Sequence, residues 1–469
     1  MGMDFRTDRV TDLANEVRSG RRTAVSLTAH ALERIEALNP AVNAFVAVDA
    51  QRALEQAEGV DQVIAAGGDP GPLAGIPIGV KDLEDAAGFP TTHGSPLHDD
   101  ASAARGDSAL VARLRQAGCV VVGKTNTPEF GWTSRTENAL HGLTRNPWNL
   151  DHSPGGSSGG SGAAIAAGMV PMATGSDGGG SIRIPSAACG LGGMKASLGR
   201  VPSGGAEAPG WLDLSSKGPM ARSIFDVAAA LEAVVGPEPS DLASLPKPEA
   251  SFLDAVNDPH LPATVGWSPD LGYAEVDAEV LGACEAALGV LVDAGIEVVE
   301  VPDLLEGDCV EDWLTIVCAC LARSMEAHAD HDRWLEVDPV LRLMVENGRQ
   351  VSGIDLVKAL DAQHHLNLRL VEHFHRVRLI LTPTTAGVAP PVALGGLGLV
   401  NGAEVQNWVQ FTYAFNMTRS PAATVPVGLS RSGIPIGMQI VGPQHADLVV
   451  LRAAAALEQL LGFDAVAPI

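Results

Sequence analysis

Two glycine clusters, at residues 155–161 and 178–181, constrain the fold of this chain more than any other feature of its sequence. They read GGSSGGS and GGGS and lie within the stretch 153–200. Glycine has no Cβ atom, so it permits sharp turns and a close approach of side chains to the backbone. Successive glycines can also turn several N–H groups towards one point, as in an oxyanion hole. The second cluster is therefore a candidate site for a negatively charged oxygen.

Four common explanations of glycine-rich sequence are disfavoured by context. A flexible Gly/Ser linker would not contain the apolar run 163–173 between its clusters or be followed directly by residues 182–185, IRIP. A phosphate-binding loop needs G-x-x-x-x-G-K-[ST], which is absent, and Lys195 comes too late. A nucleophile elbow needs G-x-S-x-G, whereas the second residue after Ser181 is Arg183. No dinucleotide-binding GxGxxG follows a predicted strand either.

Apolar spacing predicts helices and strands in alternation. The chain opens with helices at 8–17 and 26–38, the second ended by Asn39-Pro40. The run 76–80 then predicts a buried strand that delivers Lys81 at its end. Asp107 is a predicted N-cap of a helix that Gly118 closes, followed by a strand at 119–122.

The same alternation recurs in the second half of the chain. A helix capped by Asp277 runs through Ala294, and strands follow at 296–301 and 378–381. Helices between continuous apolar strands predict an α/β fold, a central mixed β-sheet covered by helices on both faces. We expect one domain over 1–469, with a helical segment at about 1–70 and with the proline-rich stretch 237–262 as an exposed crossing.

Charge and composition limit the partners. With 31 Lys plus Arg against 56 Asp plus Glu, the formal charge of −25 repels phosphate backbones and anionic lipid, so neither nucleic acid nor membrane is expected. The six cysteines are too sparse for a disulfide scaffold and predict reduced core residues. No metal or other cofactor is expected, and the histidines at 364, 365, 373 and 375 are interpreted as a polar helix face. The first residues lack a secretory pattern, which favours the cytoplasm.

The two clusters are similar to the signature GGSSGGS…G-[ST]-D-x-G-G-S-[IV]-R-x-P of the amidase signature family. The resemblance covers nearly the whole chain. Its further motifs are GIPIGVKD around Lys81, GKTNTPEFG at 123–131, NPWN at 146–149, KGPMARS at 217–223, LTPTTAG at 381–387 and the stretch 421–443. It implies the amidase signature fold and a hydrolase that acts on a small-molecule amide.

The resemblance also assigns roles to individual positions. It implies Ser181 as the nucleophile, Ser157, after a cis peptide bond, as the proton relay, and Lys81 as the base. The N–H groups of Gly178, Gly179, Gly180 and Ser181 are expected to form the oxyanion hole, and Asp177 and Arg183 to brace it as a buried ion pair. A lysine can serve as a base only when it is uncharged, and burial favours that state.

The motifs indicate the reaction more firmly than the substrate. Relatives that form the A subunit of glutamyl-tRNA amidotransferase typically have Gln where this chain has Ile184, and Gly178 stands where Thr is common, so a stand-alone hydrolase resembling the nylon-oligomer branch is favoured. A non-catalytic scaffold and the partner-dependent amidotransferase component stay as alternatives, and a homodimer is left open. Arg419 stands where glycine is common. Candidate pocket walls, with core positions as the alternative, are Trp132, Trp211, Trp313 and Trp408.

Overall fold

The computed structural model describes residues 3–205 and 208–469. Its strands are Phe45–Val48 (β1), Pro77–Lys81 (β2), Val120–Thr125 (β3), Glu137–Asn138 (β4), Gly142–Leu143 (β5), Met172–Asp177 (β6), Gly193–Lys195 (β7), Ser216–Ala221 (β8), Thr264–Trp267 (β9), Glu297–Glu300 (β10), Ile380–Pro383 (β11), Gly398–Val400 (β12), Ala403–Val405 (β13), Ala422–Leu429 (β14) and Pro435–Val441 (β15).

The α-helices are Val10–Arg18 (α1), Ala24–Val42 (α2), Ala50–Ala65 (α3), Ala109–Gln116 (α4), Gly159–Ala166 (α5), Arg183–Cys189 (α6), Ile224–Val234 (α7), Phe252–Asn257 (α8), Ala278–Asp293 (α9), Val310–Ser324 (α10), Pro339–Gln350 (α11), Gly353–Phe374 (α12), Ala414–Met417 (α13) and Asp447–Leu461 (α14). Short 3₁₀ turns lie at Pro96–His98, Glu129–Gly131, Glu326–His328, Trp334–Glu336 and Val392–Leu394.

Two ladders build a mixed sheet. The first has the strand order β1-β3-β2-β6-β8 and the second the order β10-β9-β11-β15-β14-β7. Their edge strands β8 and β7 meet at an isolated bridge between Gly192 and Ala221, so the two ladders continue one layer. The predicted α/β class with a mixed sheet and covering helices is confirmed.

One hydrophobic cluster spans both ladders. It contains Ile78 and Val121 from the first ladder and Val265, Leu381 and Ile440 from the second. A second cluster lies between α10, α11 and α12 and extends to β11 and β14. Burial of these apolar side chains, each contributing about 1.5–3 kcal/mol when complete, stabilises the layer that carries the site.

The N-terminal helices were predicted correctly, but the end of the second was wrong. Helix α2 continues through Pro40 to Val42 and ends at Asn43, which has a left-handed φ of 55°. The Asn39 side chain accepts from the N–H groups of Ala44 and Phe45, at 2.8 Å each. Proline within the last turn removes only one hydrogen-bond donor there, and the asparagine bonds hold the chain as it leaves the helix.

The predicted cap Asp107 was also wrong. Helix α4 is capped by Ser108, whose hydroxyl accepts from the Val111 N–H. Asp107 instead accepts from the Ala87 N–H at 2.7 Å and pairs with Arg115. By contrast, Asp277 caps α9 as predicted.

Two other regions differ from expectation in detail. The apolar run 163–173 divides into the end of α5 and the start of β6, and α5 already begins at Gly159 within the first glycine cluster. The stretch 237–262 is not wholly an exposed crossing, because it contains α8, where Phe252 is buried.

The six cysteines are buried and unpaired, as predicted. Burial raises the pKa of the Cys309 thiol to about 12, which keeps it protonated and unreactive. Among the residues described, none of the helices has the length and hydrophobicity needed to cross a bilayer.

Candidate active site

Lys81 is the last residue of β2, between the parallel neighbours β3 and β6, and its side chain is wholly buried. Its N–H donates to Thr174 Oγ1 at 2.9 Å, which fixes the end of the strand. Its Nζ lies 2.7 Å from Ser157 Oγ and 3.0 Å from Ser176 Oγ. The expectation of a buried strand delivering this lysine is confirmed.

The environment of Lys81 favours its neutral form. Burial lowers the pKa of Lys81 to about 7, although the charges of Glu84 and Asp177 act in the opposite direction. The Glu84 carboxylate is itself paired with Lys217 at 2.8 Å, so part of its field is compensated. A lysine with such a pKa can accept a proton near neutral pH.

Ser157 is buried at the start of the first glycine loop, and the peptide bond between Gly156 and Ser157 is cis. Two glycines lie in tight surroundings near this serine, one directly before it in the chain and the other at position 131. A Cβ atom on Gly156 would lie 2.8 Å from the backbone of Ser134, and one on Gly131 would lie 3.2 Å from Ser157 Oγ. These close approaches aim the Ser157 hydroxyl at Lys81 Nζ.

Ser181 lies in the loop between β6 and α6 and is partly exposed, unlike Ser157. The N–H of Ser158 donates to the carbonyl oxygen of Ser181 at 3.3 Å, which joins the two glycine loops. Within the described parts of the chain, Ser181 Oγ makes no hydrogen bond. The structure thus brings the two loops together and leaves the Ser181 hydroxyl available to a ligand.

The second glycine loop offers fewer free donors than expected. The N–H of Gly180 donates to Asp177 Oδ1 at 2.8 Å, so it belongs to the framework of the loop. The N–H groups of Gly178, Gly179 and Ser181 donate to no acceptor in the described residues. Three of the four expected donors are therefore available in this structure, and their role as an oxyanion hole stays a prediction.

Asp177 and Arg183 form the expected ion pair, and both side chains are wholly buried. Arg183 Nε and Nη2 donate to the two carboxylate oxygens at 2.9 and 2.8 Å. The remaining guanidinium N–H groups donate hydrogen bonds to Thr412 O, Gln439 Oε1 and Asn416 Oδ1. Burial alone would raise the pKa of Asp177, but the charge and hydrogen bonds of Arg183 hold it well below its usual range.

Two tryptophans explain why the loop is made of glycine. A Cβ atom on Gly178 would lie 2.6 Å from Trp211, and one on Gly179 would lie 2.6 Å from Trp313. Trp313 also donates its indole N–H to Gly178 O at 3.0 Å. Of the four candidate pocket walls, these two contact the second glycine loop.

The other two tryptophans have different surroundings. Trp408 is buried against Gly398 within a small third hydrophobic cluster and is a core residue. Trp132 is partly buried at the edge of the second hydrophobic cluster and directly follows Gly131, which touches Ser157.

Arg419 occupies its turn with a left-handed φ of 57°. Its guanidinium pairs with the carboxylate of Asp213, in the segment that carries Trp211. The same segment is held from α10, where Arg323 donates to Pro209 O at 2.7 Å. The arginine therefore fixes the segment that packs on the second glycine loop rather than disrupting it.

Sequence reasoning missed several residues that support the site. Ser176 is the second hydroxyl on Lys81 Nζ, and Thr412 Oγ1 donates to Gly179 O at 2.5 Å. Asn416 Nδ2 bridges Asp177 O and Leu214 O at 2.7 and 3.0 Å. Only Ser176 had a local signal, because it precedes Asp177 within the glycine-rich motif.

No group of three or more His, Cys, Asp or Glu side chains within 3–205 and 208–469 is arranged to hold a metal ion. The site contains a lysine whose lowered pKa allows the neutral form, two serine hydroxyls and unpaired backbone N–H groups. Such a set can carry out acyl transfer, in which a hydroxyl attacks a carbonyl and the N–H groups stabilise the oxyanion.

Comparison with known proteins agrees with this chemistry. A sequence model of the family described as Amidase matches residues 26–451. An acylamidase of Rhodococcus erythropolis is 34% identical over 98% of this chain and 95% of its own length. The A subunit of the glutamyl-tRNA(Gln) amidotransferase of Salinispora tropica is 35% identical over 98% of each chain. The solved structure of a 6-aminohexanoate cyclic dimer hydrolase superposes with a TM-score of 0.90 and 30% identity, covering 100% of this chain and 99% of the other.

The fold and the comparisons together define an enzyme of the amidase class. The chain belongs to the amidase signature family. The resemblance inferred from the two glycine clusters is thereby confirmed over nearly the full length of the chain.

Proposed function

We propose that this chain is a self-sufficient amide hydrolase in which Ser181 is the nucleophile, Ser157 the proton relay and Lys81 the base. The observation that carries the proposal is the 2.7 Å contact between the wholly buried Lys81 Nζ and Ser157 Oγ. A buried lysine with no paired carboxylate among the described residues is costly as an ammonium ion, which favours a role as proton acceptor.

The proposed reaction has two halves. Neutral Lys81 accepts the Ser157 proton while Ser157 accepts the Ser181 proton, and Ser181 Oγ bonds to the amide carbon. The resulting oxyanion lies against the free N–H groups of Gly178, Gly179 and Ser181. The proton returns from Lys81 through Ser157 to the leaving nitrogen as the C–N bond breaks. Water then repeats the sequence on the acyl-enzyme, releasing the acid and restoring Ser181.

The proposed substrate is a small amide, anilide, oligoamide or carbamate. Trp211 and Trp313 contact Gly178 and Gly179 and offer an apolar surface beside the proposed oxyanion donors. Such a surface suits an apolar acyl or amine group. The acylamidase and the cyclic dimer hydrolase among the similar proteins point to the same substrate class.

The A subunit of a glutamyl-tRNA amidotransferase is the second candidate, because a relative of that name covers 98% of the chain. That function needs a companion chain and an approach to tRNA, which the net charge of −25 opposes. Ile184, buried against Gly155 and Gly180, occupies the position where Gln is typical of those subunits.

The buried free cysteines fit a reducing compartment, and we retain the cytoplasm as the proposed location.

The test is hydrolysis by the purified chain alone. A panel of amide, anilide, ester and carbamate substrates is assayed with the wild type and with Ser181→Ala, which removes only one partly exposed hydroxyl. Turnover by the wild type that falls at least about 10³-fold in the variant supports the proposal. Turnover that requires an added partner chain, or a Ser181→Ala variant within tenfold of wild type, contradicts it.

A further inference from the structure

The longest helix, α12, carries an exposed apolar face that the catalytic site does not use. Its buried side faces the second hydrophobic cluster through Ala359, Gln363 and Leu370. On the outer side, four large apolar residues are exposed by 71, 56, 47 and 37%, in chain order Ile354, Val357, Leu368 and Val371. Extended exposed apolar patches mark interaction sites, whereas single exposed apolar residues are ordinary, so the arrangement of these four residues on the helix matters.

The outer face has the spacing of a coiled-coil seam. Its positions alternate by three and four residues, as the a and d positions of heptads do. We name this set the α12 seam, and its members are Ile354, Val357, Asp361, His364, Leu368 and Val371. The four apolar residues occupy the two ends, and the two polar residues occupy the centre.

When two copies of this helix are placed antiparallel, the residues of one α12 seam meet suitable partners in the other. In an antiparallel pair centred between Asp361 and His364, Ile354 meets Val371 of the second copy. Val357 then meets Leu368 of the second copy by the same register. At the centre, each Asp361 meets His364 of the other copy. The carboxylate can accept a hydrogen bond from the imidazole N–H, and the two-fold symmetry gives two such pairs.

The flanking charges agree with this register. In an antiparallel pair the residues that follow each d position face each other across the seam, which sets Lys358 against Glu372 of the second copy. Both residues are exposed in the single chain. A parallel, in-register arrangement would instead place each Asp361 opposite Asp361 of the second copy, which is repulsive.

We propose that two copies of this chain associate through an antiparallel, two-fold symmetric pairing of their α12 seams. Such an isologous interface closes after two copies and so gives a dimer rather than a filament. One helix pair lies at the small end of specific interfaces, below about 1,200 Å², so the dimer is expected to be weak, with a micromolar dissociation constant.

Sedimentation velocity on the full chain, from about 1 to about 200 μM at about 0.15 M salt, tests the association. The wild type should shift from monomer to dimer with concentration. Val357→Glu should raise the dissociation constant at least about tenfold, because it sets a charge against Leu368 of the second copy. The matched control is Val292→Glu on α9, since Val292 and Val357 are each 56% exposed, and it should leave the constant unchanged.

The central pairs are tested by exchanging them. Asp361→His alone sets two histidines together and His364→Asp alone sets two carboxylates together, so each should weaken the dimer. The double variant Asp361→His with His364→Asp restores both pairs and should restore association. A double variant no stronger than the single variants overturns the proposed register.

Cysteine cross-linking tests the orientation directly, since all six native cysteines are buried. Ile354→Cys combined with Val371→Cys should form intermolecular disulfides under mild oxidation, because the pairing sets these positions opposite each other. Each single variant should not. A wild type that stays monomeric throughout, or single variants that cross-link as fast as the double variant, would overturn the proposal.

Discussion

The indole N–H of Trp313 donates to the carbonyl oxygen of Gly178 at 3.0 Å, although 135 residues separate the two in the chain. The bond ties the first glycine of the second glycine loop to helix α10. Trp313→Phe keeps an aromatic ring but leaves that carbonyl without its donor. We expect kcat/KM for an amide to fall about tenfold, or about 1.4 kcal/mol, with Tm nearly unchanged. Trp334→Phe, whose indole N–H has no partner in the described residues, is the control and should keep full activity.

Gly179 has no room for a side chain, because its Cβ atom would lie 2.6 Å from the Trp313 ring. Gly179→Ala should therefore displace either the loop or the tryptophan and lower kcat by at least about 10²-fold. Gly282→Ala on α9 is the matched control, since nothing lies within 4 Å of the added carbon. That variant should be more stable than wild type by about 0.5–1 kcal/mol. Steady-state kinetics and urea unfolding are measured for both variants. A fully active Gly179→Ala enzyme would contradict the tight packing of Gly179 against Trp313.

Asp177→Asn should be among the most destabilising substitutions in the site. It leaves the Arg183 charge wholly buried without its counter-ion, which costs about 3–5 kcal/mol. The exposed pair of Arg18 and Asp69 gives the comparison, and Asp69→Asn should cost less than about 1 kcal/mol. Denaturant unfolding measures both, and equal costs would show that the buried pair does not brace the loop.

Arg419→Gly should separate stability from substrate binding. Glycine adopts the φ of 57° without strain, which recovers about 1 kcal/mol, while the ion pair to Asp213 is lost. The segment carrying Trp211 is then held less firmly, so KM should rise more than kcat falls. Asp213→Asn should have the same kinetic effect, and the double variant should add little to either. Unchanged KM in both single variants would show that Arg419 has no part in shaping the pocket.

Part of the site was predictable. The apolar run before Lys81 located it at a strand end, and the resemblance of the glycine clusters to the amidase signature indicated Ser157, Ser181 and the Asp177 pair with Arg183. The roles of these residues in catalysis stay predictions, as does the single domain over residues 1–469.

Contacts between distant segments were not predictable. Nothing near Gly178 in the sequence indicates Trp313, which lies 135 residues away. The predicted cap of α4 was wrong for a related reason, because the Asp107 carboxylate accepts from the Ala87 N–H instead. Tertiary partners decide such cases, and a single sequence does not display them.

The most direct test of Lys81 as the base is the pH profile of kcat/KM for an amide, measured from about pH 5 to about pH 9. Burial lowers the pKa of Lys81 to about 7, and only the neutral form can accept the Ser157 proton. We therefore expect activity that falls about tenfold per pH unit below that value and levels off above it. Because the Glu84 charge raises the pKa of Lys81, Glu84→Gln should shift the fall in activity to lower pH. A profile that is flat across this range, or that rises towards acid, would contradict Lys81 as the base.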